Sequence, residues 1–165
     1  NLYKKIMMIR EYGWESRYIS KINGQNSRLD EIQASILNVK LKFLKKNNIV
    51  RRKIANFYNK KLSKLNIELP KQNEFSYHVY YLYVIKTKNR DRLRNYLLSK
   101  NIFTGIHYPI PIHLQPAYKR IKTAKSMKVS EKLSKEIISL PMYPELKFKD
   151  LHYICSEIEK FFKND

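Results

Sequence analysis

The run Gly105-Ile-His-Tyr-Pro-Ile-Pro-Ile-His-Leu-Gln-Pro-Ala-Tyr118 gathers two histidines, two tyrosines, three prolines and a glutamine directly after a short apolar segment. Each proline removes a backbone donor and fixes one φ angle, so the run can be neither a helix interior nor a central strand. A stiff, extended loop of this kind presents imidazole and phenol groups to a ligand without needing a rigid element beneath each one. His107, Tyr108 and His113 are therefore candidate ligand-binding residues. The competing reading is an ordinary surface connection shaped by Pro109, Pro111 and Pro116, with its aromatics packed underneath.

A second candidate is Asn26-Ser27-Arg28-Leu29-Asp30-Glu31. It sets an amide, a hydroxyl and a guanidinium at the mouth of an expected helix, whose free N–H groups attract anions. The amide of Asn26 donates without adding charge, and Arg28 can grip phosphate or carboxylate in a bidentate fork. Simple capping of a long helix would use the same residue types.

The remaining chemistry-bearing residues point elsewhere. His107 and His113 lie six apart with two prolines between them, which matches no common metal-ligand spacing, so no metal site is expected. His152 falls on a helix as a surface residue, and His78 reads as packed at the start of an aromatic strand. Ser16 and Ser139 lack a Gly-x-Ser-x-Gly context, so a hydrolase triad has no support. There is no Gly-rich phosphate loop and no Gly-x-Gly-x-x-Gly, which argues against a nucleoside-triphosphate enzyme or a complete dinucleotide fold. The single cysteine, Cys155, excludes an internal disulfide and sits on the apolar face of a helix.

Composition sets the outer limits. At 165 residues, 43% of them hydrophobic, the chain can form one domain or one domain with an appended segment. Lysine and arginine number 34 against 14 acidic residues, a net charge of +20. Such a balance raises nucleic acid as a partner. The lysines are scattered from Lys4 to Lys163, however, and read as a solvated surface. The longest apolar run, Val79 to Ile85, is too short to span a bilayer, and no secretory signal is visible at Asn1, so a cytoplasmic protein without a membrane partner is the expectation.

The elements that must position these residues follow from periodicity. Leu2, Ile6 and Ile9 fit a short helix over 2–12, closed at Tyr12-Gly13. Residues 14–25 read as an irregular loop. Ser27 as cap, with Asp30 and Glu31 in the first turn, opens one long helix, or two nearly collinear ones, from about 28 to 65. Its stripe is Leu29, Ile32, Ile36, Val39 and Phe43, resumed by Ile54, Phe57, Tyr58, Leu62 and Leu65. The first part of that stripe should leave apolar surface for another domain or partner to cover. Strands are expected within Val79–Ile85, Ile102–Ile106 and Ser139–Pro144. Helices are expected from Arg90 to about Lys100 with Leu93, Leu97 and Leu98 inward, around Val129, Leu133 and Ile137, and over about 148–162. The last of these lacks a good cap at Lys147-Phe-Lys149. A small sheet covered by helices on one face, the α+β class, results.

Taken in order, Tyr12-Gly13, Asn26–Ala34, Gly105–Tyr118 and Ser139–Pro144 resemble the C-terminal part of the DegT/StrS-type, pyridoxal-phosphate-dependent nucleotide-sugar aminotransferases. The resemblance covers essentially the whole chain. It implies the C-terminal small domain of a type I aminotransferase fold, preceded by a long interdomain helix and working in a homodimer. Residues 1–26 would be a remnant of the large cofactor domain, 27–66 the connecting helix and 67–165 the small domain. Asn26 matches the residue whose amide reaches the cofactor phosphate of the opposite subunit, and Arg28 follows it in the same motif. His107 and Tyr108, with His113 in the same loop, match the segment on the sugar-nucleotide side of the active site. The implied reaction moves an amino group, from glutamate, to a keto-deoxysugar nucleotide.

The Schiff-base lysine, the acidic partner of the pyridine nitrogen and the aromatic that stacks on the ring belong to family segments that precede residues 2–12. None of the lysines here stands in the required motif, so no catalytic residue is assigned. The chain is expected to be a fragment that cannot transaminate by itself. Two other readings are a basic nucleic-acid-binding α+β module and a non-catalytic partner of a full-length aminotransferase.

Overall fold

The computed structural model describes residues 1–118 and 126–163. The small domain expected over 67–165 thus includes positions, 119–125 and 164–165, that lie outside the described residues. By its internal contacts the chain divides into two compact units, Asn1–Lys45 and Lys46–Asp165, with the boundary inside a helix.

In the first unit, helix α1 (Leu2–Arg10) is capped by the Asn1 side chain, which accepts from the Tyr3 N–H at 3.2 Å. The chain then reverses through Tyr12 and Gly13, both in the left-handed region with φ of 59° and 79°. Glycine is required at 13, because a Cβ there would run into the Ile22 carbonyl. The segment expected as an irregular loop is instead a short antiparallel hairpin, β1 (Trp14–Ser16) and β2 (Ile19–Ser20). Strands of three and two residues carry too little periodicity to be recognised. Trp14 holds them by packing its ring against Tyr12 at 5.3 Å and Tyr18 at 5.2 Å.

Helix α2 (Glu31–Leu62) is one continuous element of 32 residues, which decides between one helix and two collinear ones. It starts later than expected. The Ala34 N–H bonds to the Asp30 carbonyl, so the first turn begins at Asp30 and Ser27 is not its cap. The stripe behaves differently along its length. Ile32, Ile36, Val39 and Phe43 are more than half exposed, whereas Ile54, Tyr58 and Leu62 are buried.

The second unit is built on an antiparallel pair, β3 (Tyr83–Lys86) and β4 (Ile137–Leu140). Tyr83 pairs with Leu140 and Ile85 with Ile138, and all four are buried on one face. Single bridges extend the pair on both sides, Glu68 to Lys86 and Gly105 to Ser139. The strand expected at 102–106 is therefore reduced to one bridge at Gly105, and the aromatic strand starts only at Tyr83 because the chain bends at Tyr81-Leu82.

Helices cover the buried face. The core joins Ile54, Ala55, Tyr58 and Leu62 of α2 to Leu93 and Leu97 of α3 (Arg90–Ser99). Leu151, Ile154, Cys155, Ile158 and Phe161 of α5 (Phe148–Lys163) complete it. This is the α+β arrangement expected. Leu98 points outward at 51% exposure, not into the core as expected. Helix α4 (Lys128–Glu136) ends before Ile137, which belongs to β4, and Val129 is exposed. Arg90 ties these parts together. Its buried guanidinium donates to the carbonyls of Ser134 at 3.1 Å and Ile137 at 3.3 Å, where α4 gives way to β4.

Candidate functional site

The proline-rich run leaves the sheet at Gly105 and crosses the face opposite the helices. Alternation along β4 turns Ser139 to that face, since Ile138 and Leu140 point into the core. Gly105 and Ser139 exchange two backbone hydrogen bonds, 3.1 Å and 2.8 Å. His107, two residues on, brings Nδ1 to 2.9 Å from the Ser139 hydroxyl. Pro111 then leads into single-turn 3₁₀ segments at Ile112–Leu114 and Pro116–Tyr118. The prolines act as read from sequence, keeping the run out of helix and strand.

The first of those turns directs His113 at α4. Its Nε2 lies 3.0 Å from the Glu131 carboxylate, and the side chain is only 10% exposed. Between the two anchored histidines opens a groove of about 560 Å³. His107, Tyr108 and His113 all line it, with Tyr118, Ile112 and Leu133 among the other walls. The three loop residues singled out from sequence are thus brought into one concavity. Tyr108 is 73% exposed and its ring meets that of His107 edge-on at 5.6 Å. A groove with apolar walls, two phenols and two imidazoles suits a flat or partly apolar ligand that carries hydrogen-bonding oxygens.

Sequence reasoning missed the two partners. Glu131 is 18 residues from His113 and Ser139 is 32 from His107, and neither separation corresponds to a local pattern. The other histidines lie apart from this site. His152 packs its ring on Phe57 at 4.6 Å, and His78, although exposed, packs its ring on Tyr80 at 4.1 Å and accepts the Tyr80 N–H at Nδ1. Among the described residues no group of three or more His, Cys, Asp or Glu could hold a metal ion.

The phosphate candidates lie in the first unit. The backbone of Asn26 bridges to Glu11, and its side chain is exposed. The Arg28 fork is engaged by a carboxylate of the chain itself, with Nε at 3.1 Å and Nη2 at 2.5 Å from Glu11 Oε2. That hydrogen bond, and the charge of Glu11 behind it, raise the Arg28 pKa further. Asn26 therefore offers an uncommitted exposed amide, which fits a cofactor phosphate. Arg28 would have to share or release Glu11 to do so, and its evident role is to hold the approach to α2 against the end of α1.

The second unit is thus an antiparallel pair under a helical layer, with a histidine-bearing loop that shares a groove with α4. The chain belongs to the DegT/DnrJ/EryC1/StrS aminotransferase family, whose model matches residues 1–159. One relative is a dTDP-3-amino-3,6-dideoxy-alpha-D-galactopyranose transaminase of Aneurinibacillus thermoaerophilus, 36% identical over 160 residues. That match takes in 97% of this chain but 44% of the relative, so the chain spans less than half the relative's length. A DegT/DnrJ/EryC1/StrS aminotransferase from Brucella abortus superposes with a TM-score of 0.89 at 34% identity, over 98% of this chain and 43% of that one. NtdA of Bacillus subtilis, solved with bound cofactor PMP, gives 0.84 at 28% identity over 98% and 40% of the two chains.

Proposed function

We propose that this chain is the C-terminal portion of a pyridoxal-phosphate-dependent aminotransferase that transfers an amino group, from glutamate, to a keto-deoxysugar nucleotide. The observation that carries the reading is the shared groove of His107, Tyr108 and His113, in a chain whose family match runs almost end to end. The relative's name, with its dTDP-linked amino sugar, supports the substrate class.

Pyridoxal phosphate, when bound, supplies the electron sink that lets an amino group move between carbon skeletons. The residues of this chain bind and orient. Asn26 donates its amide N–H to a phosphate oxygen of the cofactor held by an opposing subunit. Tyr108 offers a ring face and a phenol to the nucleotide, and His107 offers an imidazole nitrogen. His113 lines the same groove, with its Nε2 held on Glu131, and keeps the loop seated.

The lysine that forms the Schiff base lies, on this reading, in a part of the family fold outside this chain. The chain alone then binds nucleotide without transaminating, and it acts in a homodimer or beside a full-length homologous subunit. Two measurements test this. Titration with dTDP should perturb the ring signals of His107 and Tyr108; no response there would sink the substrate assignment. Incubation with pyridoxal phosphate and borohydride should leave no lysine selectively modified, and one stoichiometrically labelled lysine would overturn the placement of the catalytic residue.

A further inference from the structure

The Ser139 hydroxyl is the hydrogen-bond partner of His107 Nδ1. Ser139 is 4% exposed and His107 Nδ1, at 2.9 Å, is the partner of its hydroxyl among the described residues. A buried O–H needs an acceptor, because leaving it unpaired costs its desolvation without return. If Nδ1 held the proton it would donate to the Ser139 oxygen, and the hydroxyl hydrogen would have no other acceptor in reach among the described residues. With the proton on Nε2, the hydroxyl donates to Nδ1 and both groups are satisfied.

Gly105 makes this contact possible. A Cβ at that position would lie 2.6 Å from His107 Cε1 and 3.3 Å from Nδ1, so the ring rests where any other residue would put a side chain. The imidazole is thus held on one side by a bare backbone and at Nδ1 by a hydroxyl, in a residue that lines the groove.

We propose that Ser139 is a positioning residue that locks neutral His107 as the Nε2–H tautomer, so that His107 meets a groove ligand as a hydrogen-bond donor. The complementary ligand group is an acceptor, a phosphate or carbonyl oxygen, and His107 is not a base toward that ligand. Its functional meaning rests on the aminotransferase reading above, while the tautomer itself does not.

The test is nitrogen spectroscopy of the chain labelled with ¹⁵N-histidine, at a pH where the imidazoles are neutral, with His107 assigned by its loss in His107→Gln. A pyrrole-like shift at Nε2 and a pyridine-like shift at Nδ1 are expected; the reverse pattern overturns the proposal. In Ser139→Ala the two shifts should move toward the averaged values of a free imidazole, and an undisturbed tautomer there would also overturn it. Gly105→Ala, which displaces the ring without touching the hydroxyl, should erase the bias as well. Adding dTDP to the same sample separates the two claims. A shift of the His107 Nε2 signal supports donation to the ligand, whereas an intact tautomer with no response to dTDP overturns the substrate assignment alone.

Discussion

The phenol of Tyr58 on α2 donates to the carbonyl of Pro141 at 2.9 Å, joining residues 83 apart in sequence. Tyr58 is fully buried and stacks on Tyr83 with ring centroids 4.8 Å apart. Burial holds its phenol protonated far beyond the usual range, with the nearby Cys155 adding to the effect. Tyr58→Phe keeps the stacking and removes the donor, leaving a partly buried carbonyl unmatched. A loss of about 1–2 kcal/mol is expected in urea unfolding. A variant as stable as the parent would show that water replaces the bond.

Cys155 should make the fold sensitive to alkali. Burial, followed by the charge of Glu159, pushes its thiol from 9.0 up to about 12. The folded state binds this proton more tightly than the unfolded chain does. The corresponding stability is therefore complete below pH 9 and is lost as pH rises from there toward 12. Stability measured between those limits should fall less steeply in Cys155→Ala than in the parent. In the folded chain at neutral pH a thiol reagent should react only at the rate of global opening.

Removing Glu131 should free the far end of the loop. Glu131→Ala deletes the carboxylate that holds His113, a side chain too well covered to recover full hydration. Hydrogen exchange at Ile112, Leu114 and Gln115 should quicken, while β3 and β4 stay protected. Unchanged exchange in the 3₁₀ turn would mean that the prolines suffice to seat it.

Gly13→Ala tests the first unit. The substitution meets both the positive φ and the Ile22 carbonyl. It should cost more than about 1 kcal/mol locally. The readout is proteolysis between Glu11 and Asn26, which should accelerate without a change in the cleavage of α5. Equal resistance in the two chains would show that the reversal adapts.

Much of this was open to reading from the order of residues, and what was hidden has a common cause. The period of α5 put Leu151, Ile154, Cys155, Ile158 and Phe161 inward correctly, because a helix sixteen residues long repeats its pattern four times. The existence of α2 was visible for the same reason, although the polar stretch Lys45–Asn48 left one helix or two collinear ones open. Its start was not, since Ser27 and Asp30 are both good caps and only the hydrogen bonding of Ala34 distinguishes them. The hairpin at Trp14–Ser20 is too short to show alternation. Ile137 was assigned to a helix face because its spacing from Leu133 is four, yet α4 yields to β4 at that residue. The loop histidines could be picked out by composition. Ser139 and Glu131 could not, as their importance arises only when sheet and helix bring distant segments together.

Ser139 stands opposite Val84 along one edge of its strand and opposite Gly105 along the other. A slip of β4 by a single residue would turn an isoleucine or leucine toward His107 and bury the hydroxyl among the helices. On the reading proposed above, the tautomer of His107 is thereby tied to the phase of a two-stranded ladder. Tyr83 and Ile85, which do not line the groove, would then act on recognition through the alignment they impose. Insertions or deletions in either strand should abolish binding selectivity even where the domain still condenses.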